Sequence, residues 1–395
     1  MGVVWFALAS ALCALSPNVG TLVAARALQG VGGALLTPGC LAIISSAFAA
    51  EDQPRAVGTW AGLGGIAAAV GPFVGGWLVA VDWRLIFLVN LPLAAVIVFG
   101  TLRHVPESCD EEGDRSARLD LPGTTLAVLA LAGVTWALTE AGRRGWDTLV
   151  LGVGAAGLLA AVLFLLVERR TAAPLIRLEM FADRVFTGTN LATFFIYGAL
   201  GVYSFLVVLQ LQVVAGWSPL AAGTATLPLT VLMLLLSSRA GALAVRTGPR
   251  VLMALGSTLA AAAFLAALRI GPGARWLTDV APSAVLLGLG LACAVAPLTA
   301  TVLAAAPAHL AGAASGVNNA VARSAGLLGV AVVPTLAGLS GAGVDDAAAL
   351  RSGFGTAMLI GAVALAVGAV VSWFGLGRRA SVQRAAAASA SPVSR

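Results

Sequence analysis

The sequence predicts an all-α integral membrane protein, a bundle of about twelve transmembrane helices, and three observations carry that expectation. Apolar side chains make up 59% of the 395 residues and charged ones only 10%, against about 25% charged in an ordinary globular domain. Mean hydropathy is +0.98. The apolar residues fall in runs of roughly 20, the length that lets a helix cross a hydrocarbon core of about 30 Å. These runs are rich in Leu and Ala and lack the period-two alternation of membrane strands.

Taken in order, the runs cover residues 2–16, 21–47, 57–81, 84–102, 121–140, 148–167, 186–212, 219–238, 251–270, 281–304, 316–340 and 354–376, each bounded by a polar or charged break. The first begins at Met1 and has no basic flank, so it reads as a helix and not as a cleaved signal peptide. The third contains GIAAAVGPFVGGW, with Gly71, Pro72, Gly75 and Gly76 in mid-run. Pro72 removes a backbone donor and bends the helix, and Gly71 and Gly75 form a small face on which a neighbour can press. That combination suits a hinge. Residues 103–120 form a charged loop whose acidic run Asp110–Asp114 is a solvated linker or a docking point for a partner. Residues 380–395 are a low-complexity tail, expected to be disordered. The domain reading is therefore 1–102 (four helices), 103–120 (loop), 121–170 (two helices), 171–379 (six helices) and 380–395 (tail).

Charge sets orientation and excludes other classes. With the start on the cytoplasmic side, the inner set of Arg residues is 55, 103, 115, 118, 169, 170, 177, 184, 239, 246, 250, 378, 379, 384 and 395, fifteen against six on the outer set. Positive-inside bias then places the C-terminus in the cytoplasm of a multi-pass cell-membrane protein. Trp83, Trp146, Trp217 and Trp276 fall at outer helix ends, as an aromatic belt requires. The net charge of +6 is spread over short loops, so no nucleic-acid patch is expected. Cys13, Cys40, Cys109 and Cys293 are scattered without metal or disulfide spacing. No P-loop, G-x-S-x-G or H-E-x-x-H motif occurs, and neither enzyme activity nor a cofactor is expected.

An ionisable residue inside a bilayer is a functional candidate by default. The acids lie in loops or near helix ends, Glu140 included, and His104 and His309 are in loops. Arg26 and Arg323 remain. Arg26 precedes Gln29 by three residues and is followed by Gly30, Gly32 and Gly33, which permit tight packing while the guanidinium finds a carbonyl or an acid. Arg323 follows Asn318 and Asn319, and Asn319 shares its helix face four residues earlier. Two readings of this strip stand side by side: the lining of a water-filled cavity, or a hydrogen-bonded clamp between helices. Asn190 and Gln210 are further cavity-lining candidates. GALAVRTGPR (241–250), with Gly241, Arg246, Gly248 and Arg250, reads as a short inner loop, either a gating latch or an ordinary basic loop.

Five segments taken in order carry a family resemblance: ARALQGVGGALLTP, GPFVGG, DWRLIFLVNLP, LQLQVVAGWSPLAAGTATLPL and APLTATVLAAAPAHLAGAASGVNNAVARSAGLLGVA. They resemble the major facilitator superfamily, specifically its 14-helix drug:proton antiporter branch, over nearly the whole chain. The first is similar to that family's fourth-helix motif, the second to its fifth-helix antiporter motif and the third to the entry of its sixth helix. The family pattern is 6+2+6 helices, whereas this chain reads 4+2+6, so its first two helices and the Gly-rich gating loop that follows them are expected to be missing. GALAVRTGPR resembles that loop in the second half, with Val245 where the family usually has an acid.

The resemblance implies a secondary transporter that exports drugs or other small hydrophobic molecules by alternating access, with the proton gradient as energy source. It implies Arg26, Gln29 and Arg323 as transport or coupling residues, and a monomer in the lipid bilayer acting on small-molecule substrates. Two other readings remain: a truncated, non-transporting or partner-dependent membrane protein, and an exporter of one specific metabolite.

Overall fold

A computed structural model describes residues 2–47, 71, 74–79, 81–104, 120–171, 174, 176–306, 311–339 and 347–376. Pro72, most of the 57–81 run, the acidic loop and the tail lie outside them. The described chain is helical, and it divides into two compact units, Met1–Asp114 and Arg115–Arg395. Ten of its helices are long and apolar enough to cross a membrane.

In the first unit, α1 (Gly2–Ala14) packs against α2 (Val19–Ala47), and also against α3 (Leu85–Leu88) and α4 (Asn90–His104). Gly32 sets the α1–α2 approach, because a Cβ there would lie 2.8 Å from the Phe6 backbone. The 84–102 run is interrupted at Val89. Pro92, the third residue of α4, clashes with the carbonyl four residues back, and so ends α3 at Leu88. Gly71, Gly75 and Gly76 are helical. Among the described residues, an added Cβ at Gly71 or Gly75 meets nothing within 4 Å.

The second unit begins with a helical hairpin, α5 (Leu121–Arg144) and α6 (Thr148–Glu168). Acids start its helices. The side chains of Asp120, Asp147 and Asp183 accept the first free backbone N–H groups of α5, α6 and α7 (Arg184–Val213) at 2.7–3.1 Å. The 219–238 run becomes two helices, α8 (Pro219–Thr224) and α9 (Leu227–Thr247), again broken four residues before a proline, Pro228. Then follow α10 (Pro249–Ala267), α11 (Ala281–Ala305) with a π turn before it, α12 (Ala311–Leu336) and α13 (Ala347–Gly375).

The consecutive helices α10 and α11 pack closely, and so do pairs farther apart in the chain. Helix α7 packs on α12 and α13, α11 packs on α9 and α10, and α10 packs on α13. Exchanging α7 with α11, α9 with α12 and α10 with α13 maps this set onto itself. The two triplets thus share one pattern of packing, as internal repeats do, a plan that transporters use widely. Their common core holds Tyr203, Phe186, Phe264 and Phe354, all fully buried. Small residues let the backbones approach: a Cβ on Gly201 would sit 2.7 Å from the Gly326 carbonyl, and one on Gly329 would strike that of Gly198.

Candidate functional site

The first unit carries one intramembrane cation in a hydrogen-bonded setting. Arg26 Nη1 donates to Gln29 Oε1 at 2.6 Å, and Gln29 Nε2 donates to Ser10 Oγ at 2.6 Å. Asn90 Nδ2 also donates to Ser10 Oγ, at 3.3 Å, while the Ser10 hydroxyl donates to the Phe6 carbonyl at 2.8 Å. The Arg26 guanidinium lies 5.8 Å from the centre of the Phe87 ring, within cation–π range. Ser10 and Gln29 are buried, at 0% and 3% exposure, whereas Arg26 itself is exposed. The structure thus brings together the two residues singled out from sequence. Ser10, Phe87 and Asn90 were not foreseen, although Phe87 and Asn90 stand inside DWRLIFLVNLP.

A guanidinium offers several donors and no acceptor. It can hold an anionic partner, or shift the ionisation of an acid brought near it, and low local dielectric strengthens either effect. Among the described residues only Gln29 accepts a hydrogen bond from Arg26.

In the second unit the polar strip of α12 divides. Asn318 donates to Thr193 Oγ1 at 2.7 Å and to Asn190 Oδ1 at 3.2 Å. Asn190 in turn donates to the Phe186 carbonyl at 3.0 Å. This is a clamp between α7 and α12 that takes up the side chains of Asn190, which is buried, and Asn318, which is half-buried. Asn319 and Arg323 point elsewhere and are exposed.

Gln210, expected to line a cavity, is 1% exposed and donates to the Ile270 carbonyl at 2.9 Å. That carbonyl lies just past the end of α10, where helix geometry supplies no partner. Tyr203 bonds to Ser283 at 2.8 Å across the same core. Glu168 was also missed: it is 3% exposed, and its carboxylate accepts from the Ile176 N–H at 2.9 Å. A cavity of about 310 Å³ opens beside it, lined by Arg169, Thr171 and Arg177 among others.

The expected inner loop at 241–250 is corrected by the structure. Helix α9 continues to Thr247 and α10 starts at Pro249, which leaves Gly248 alone between them at φ +87°. Only glycine takes that conformation readily. Gly241 is inside α9, facing Ala296 of α11, and Arg246 is in the last turn of α9. Arg250 stacks on the Trp373 ring of α13, 3.9 Å from its centre. Among the described residues no cluster of His, Cys, Asp and Glu could hold a metal.

Comparison with known proteins agrees with this architecture. The family model of the Major Facilitator Superfamily matches residues 1–330. The puromycin resistance protein pur8 of Streptomyces alboniger is 37% identical over 390 residues, which cover 94% of this chain and 76% of the relative. The multidrug resistance protein Stp of Mycobacterium tuberculosis is 35% identical over 84% of this chain and 62% of its own length. The solved structure of a bacterial homologue of the human drug peptide transporters PepT1 and PepT2 superposes with a TM-score of 0.60 at 16% identity, over 95% of this chain and 82% of that one. At that identity the likeness is one of fold. Helical spans, the packing of the second unit and the sequence match converge: the chain belongs to the major facilitator superfamily, as a multi-pass membrane transport protein.

Proposed function

We propose that the chain exports drugs or other small hydrophobic molecules by alternating access, driven by the proton gradient. The observation that carries this reading is the Arg26–Gln29 pair, a charged group held by buried polar side chains inside an apolar helix. Such an arrangement is costly in a membrane unless it is used. The names of pur8 and Stp, both resistance proteins, support export as the direction. In this reading Arg26 and Gln29 couple transport to protons, Asn319 and Arg323 contact substrate or a neighbouring acid, and the Gly71–Gly76 helix bends. The 241–250 segment works as a latch between helix ends, through Gly248 and the Arg250–Trp373 contact. The protein acts as a monomer in the cell membrane with its C-terminus in the cytoplasm, and its helices divide 4+2+6.

A drug-sensitive bacterial host producing the full chain tests this. Cells should accumulate less of a fluorescent lipophilic dye, and a protonophore should abolish the difference. Equal accumulation with and without the protein, at verified membrane abundance, would overturn the proposal. A second reading, export of one natural product, is favoured by the match to pur8, named for a single antibiotic and aligned over more of this chain than Stp. Competition separates the two: many chemically unrelated drugs slow dye export by a multidrug transporter, and one chemical class does so for a dedicated exporter.

A further inference from the structure

We infer that Ser10 is a positioning residue that fixes the amide orientation of Gln29, and through it holds Arg26 in place; the transport consequence rests on the reading above. A serine hydroxyl has one donor and two acceptor sites, and at Ser10 all three are filled. Its proton goes to the Phe6 carbonyl at 2.8 Å, and its lone pairs receive Gln29 Nε2 at 2.6 Å and Asn90 Nδ2 at 3.3 Å. With no proton left to offer, this oxygen can meet Gln29 only through the amide nitrogen. The opposite end of the amide, Oε1, must then face Arg26, where it accepts at 2.6 Å. Were the amide reversed, its NH2 group would confront the guanidinium, donor against donor. Ser10 is fully buried and Gln29 nearly so, which leaves no water to compensate. Asn90 braces the node from α4, so three helices meet at one oxygen atom.

The side chain that needs orienting is an amide, and this supplies the test. A carboxylate has two equivalent oxygens and nothing to orient. Ser10→Ala should therefore lower the maximal export rate about tenfold, the scale of one lost buried hydrogen bond, with KM and membrane abundance unchanged. In a Gln29→Glu background the same Ser10→Ala change should lower the rate by less than about twofold or raise it, because the introduced carboxylate pairs with Arg26 through either oxygen and sets its other oxygen against the Ser10 lone pairs. Ser10→Thr, which keeps the hydroxyl, should restore the wild-type rate. A Ser10→Ala effect of equal size in both backgrounds would show a purely packing role and overturn the inference. The wild type, the two single variants and the double variant are also compared by thermal unfolding in detergent, which needs no transport. A wild type that exports nothing, with non-additive unfolding midpoints, would sink the transport reading and leave the orientation of Gln29 standing; additive midpoints would overturn the inference itself.

Discussion

Arg26 was legible in the sequence, and its setting was not. Residues three apart share a helix face, so the Arg26–Gln29 pair follows from spacing. Ser10 and Asn90 reach the same point from 19 and 61 positions away from Gln29, through tertiary packing that no local pattern encodes. Arg26→Ala should reduce export by about thirtyfold or more, the scale of a charge-assisted hydrogen bond, with membrane abundance unchanged; dye-export rates normalised to protein on immunoblots check this. Arg323→Ala should abolish export at unchanged abundance, and unaltered export would remove Arg323 from the mechanism. The adjacent asparagines show a limit of sequence reading. Neighbouring helical residues point about 100° apart, so Asn318 enters the clamp with α7 while Asn319 stays exposed. Asn318→Ala should act through stability alone, at a cost of about 1–2 kcal/mol for leaving Asn190 and Thr193 partly unpartnered. A lowered unfolding midpoint in detergent, with normal export per folded molecule, is the expected result.

At the scale of helices, existence was legible and ends were less so. The long runs of Leu and Ala could be nothing but spans, and the acids at their borders turned out to be caps. Breaks at Val89 and after Thr224 came from prolines placed downstream, each in reach of the carbonyl four residues back, a signal present in the sequence but hidden inside apolar runs. The 241–250 segment looked like a loop because it is polar and glycine-containing, yet a single residue, Gly248, makes the turn. Glycine content likewise fails to show which glycines are in contact. Gly201 lies against Gly326, whereas Gly30 faces open space. Gly201→Val should therefore lower stability by about 1–3 kcal/mol through overpacking, with a marked loss of folded protein in membranes. Gly30→Ala should be neutral or raise stability by up to about 1 kcal/mol, from helix propensity. Unfolding midpoints of the two purified variants give the comparison; equal effects would contradict the assigned α7–α12 crossing.

For the whole molecule, composition alone identified the solvent, and the order of five segments identified the family. The matched pairing of α7, α9 and α10 with α11, α12 and α13 was beyond sequence reading, since the two triplets share packing relations and not an evident residue pattern. That arrangement gives the second unit a core in which either triplet supports the other. Polar groups such as Gln210 and Tyr203 are consumed inside this core. We propose above that this chain moves hydrophobic molecules at the expense of a proton gradient, with Arg26 required. The most direct measurement is transport by the purified chain in proteoliposomes under an imposed pH gradient, for the wild type and Arg26→Ala. The expected result is gradient-dependent movement of a fluorescent lipophilic substrate by the wild type and movement slower by about thirtyfold or more in the variant. Movement that is absent from the wild type, or that persists equally without the gradient or without Arg26, would contradict it.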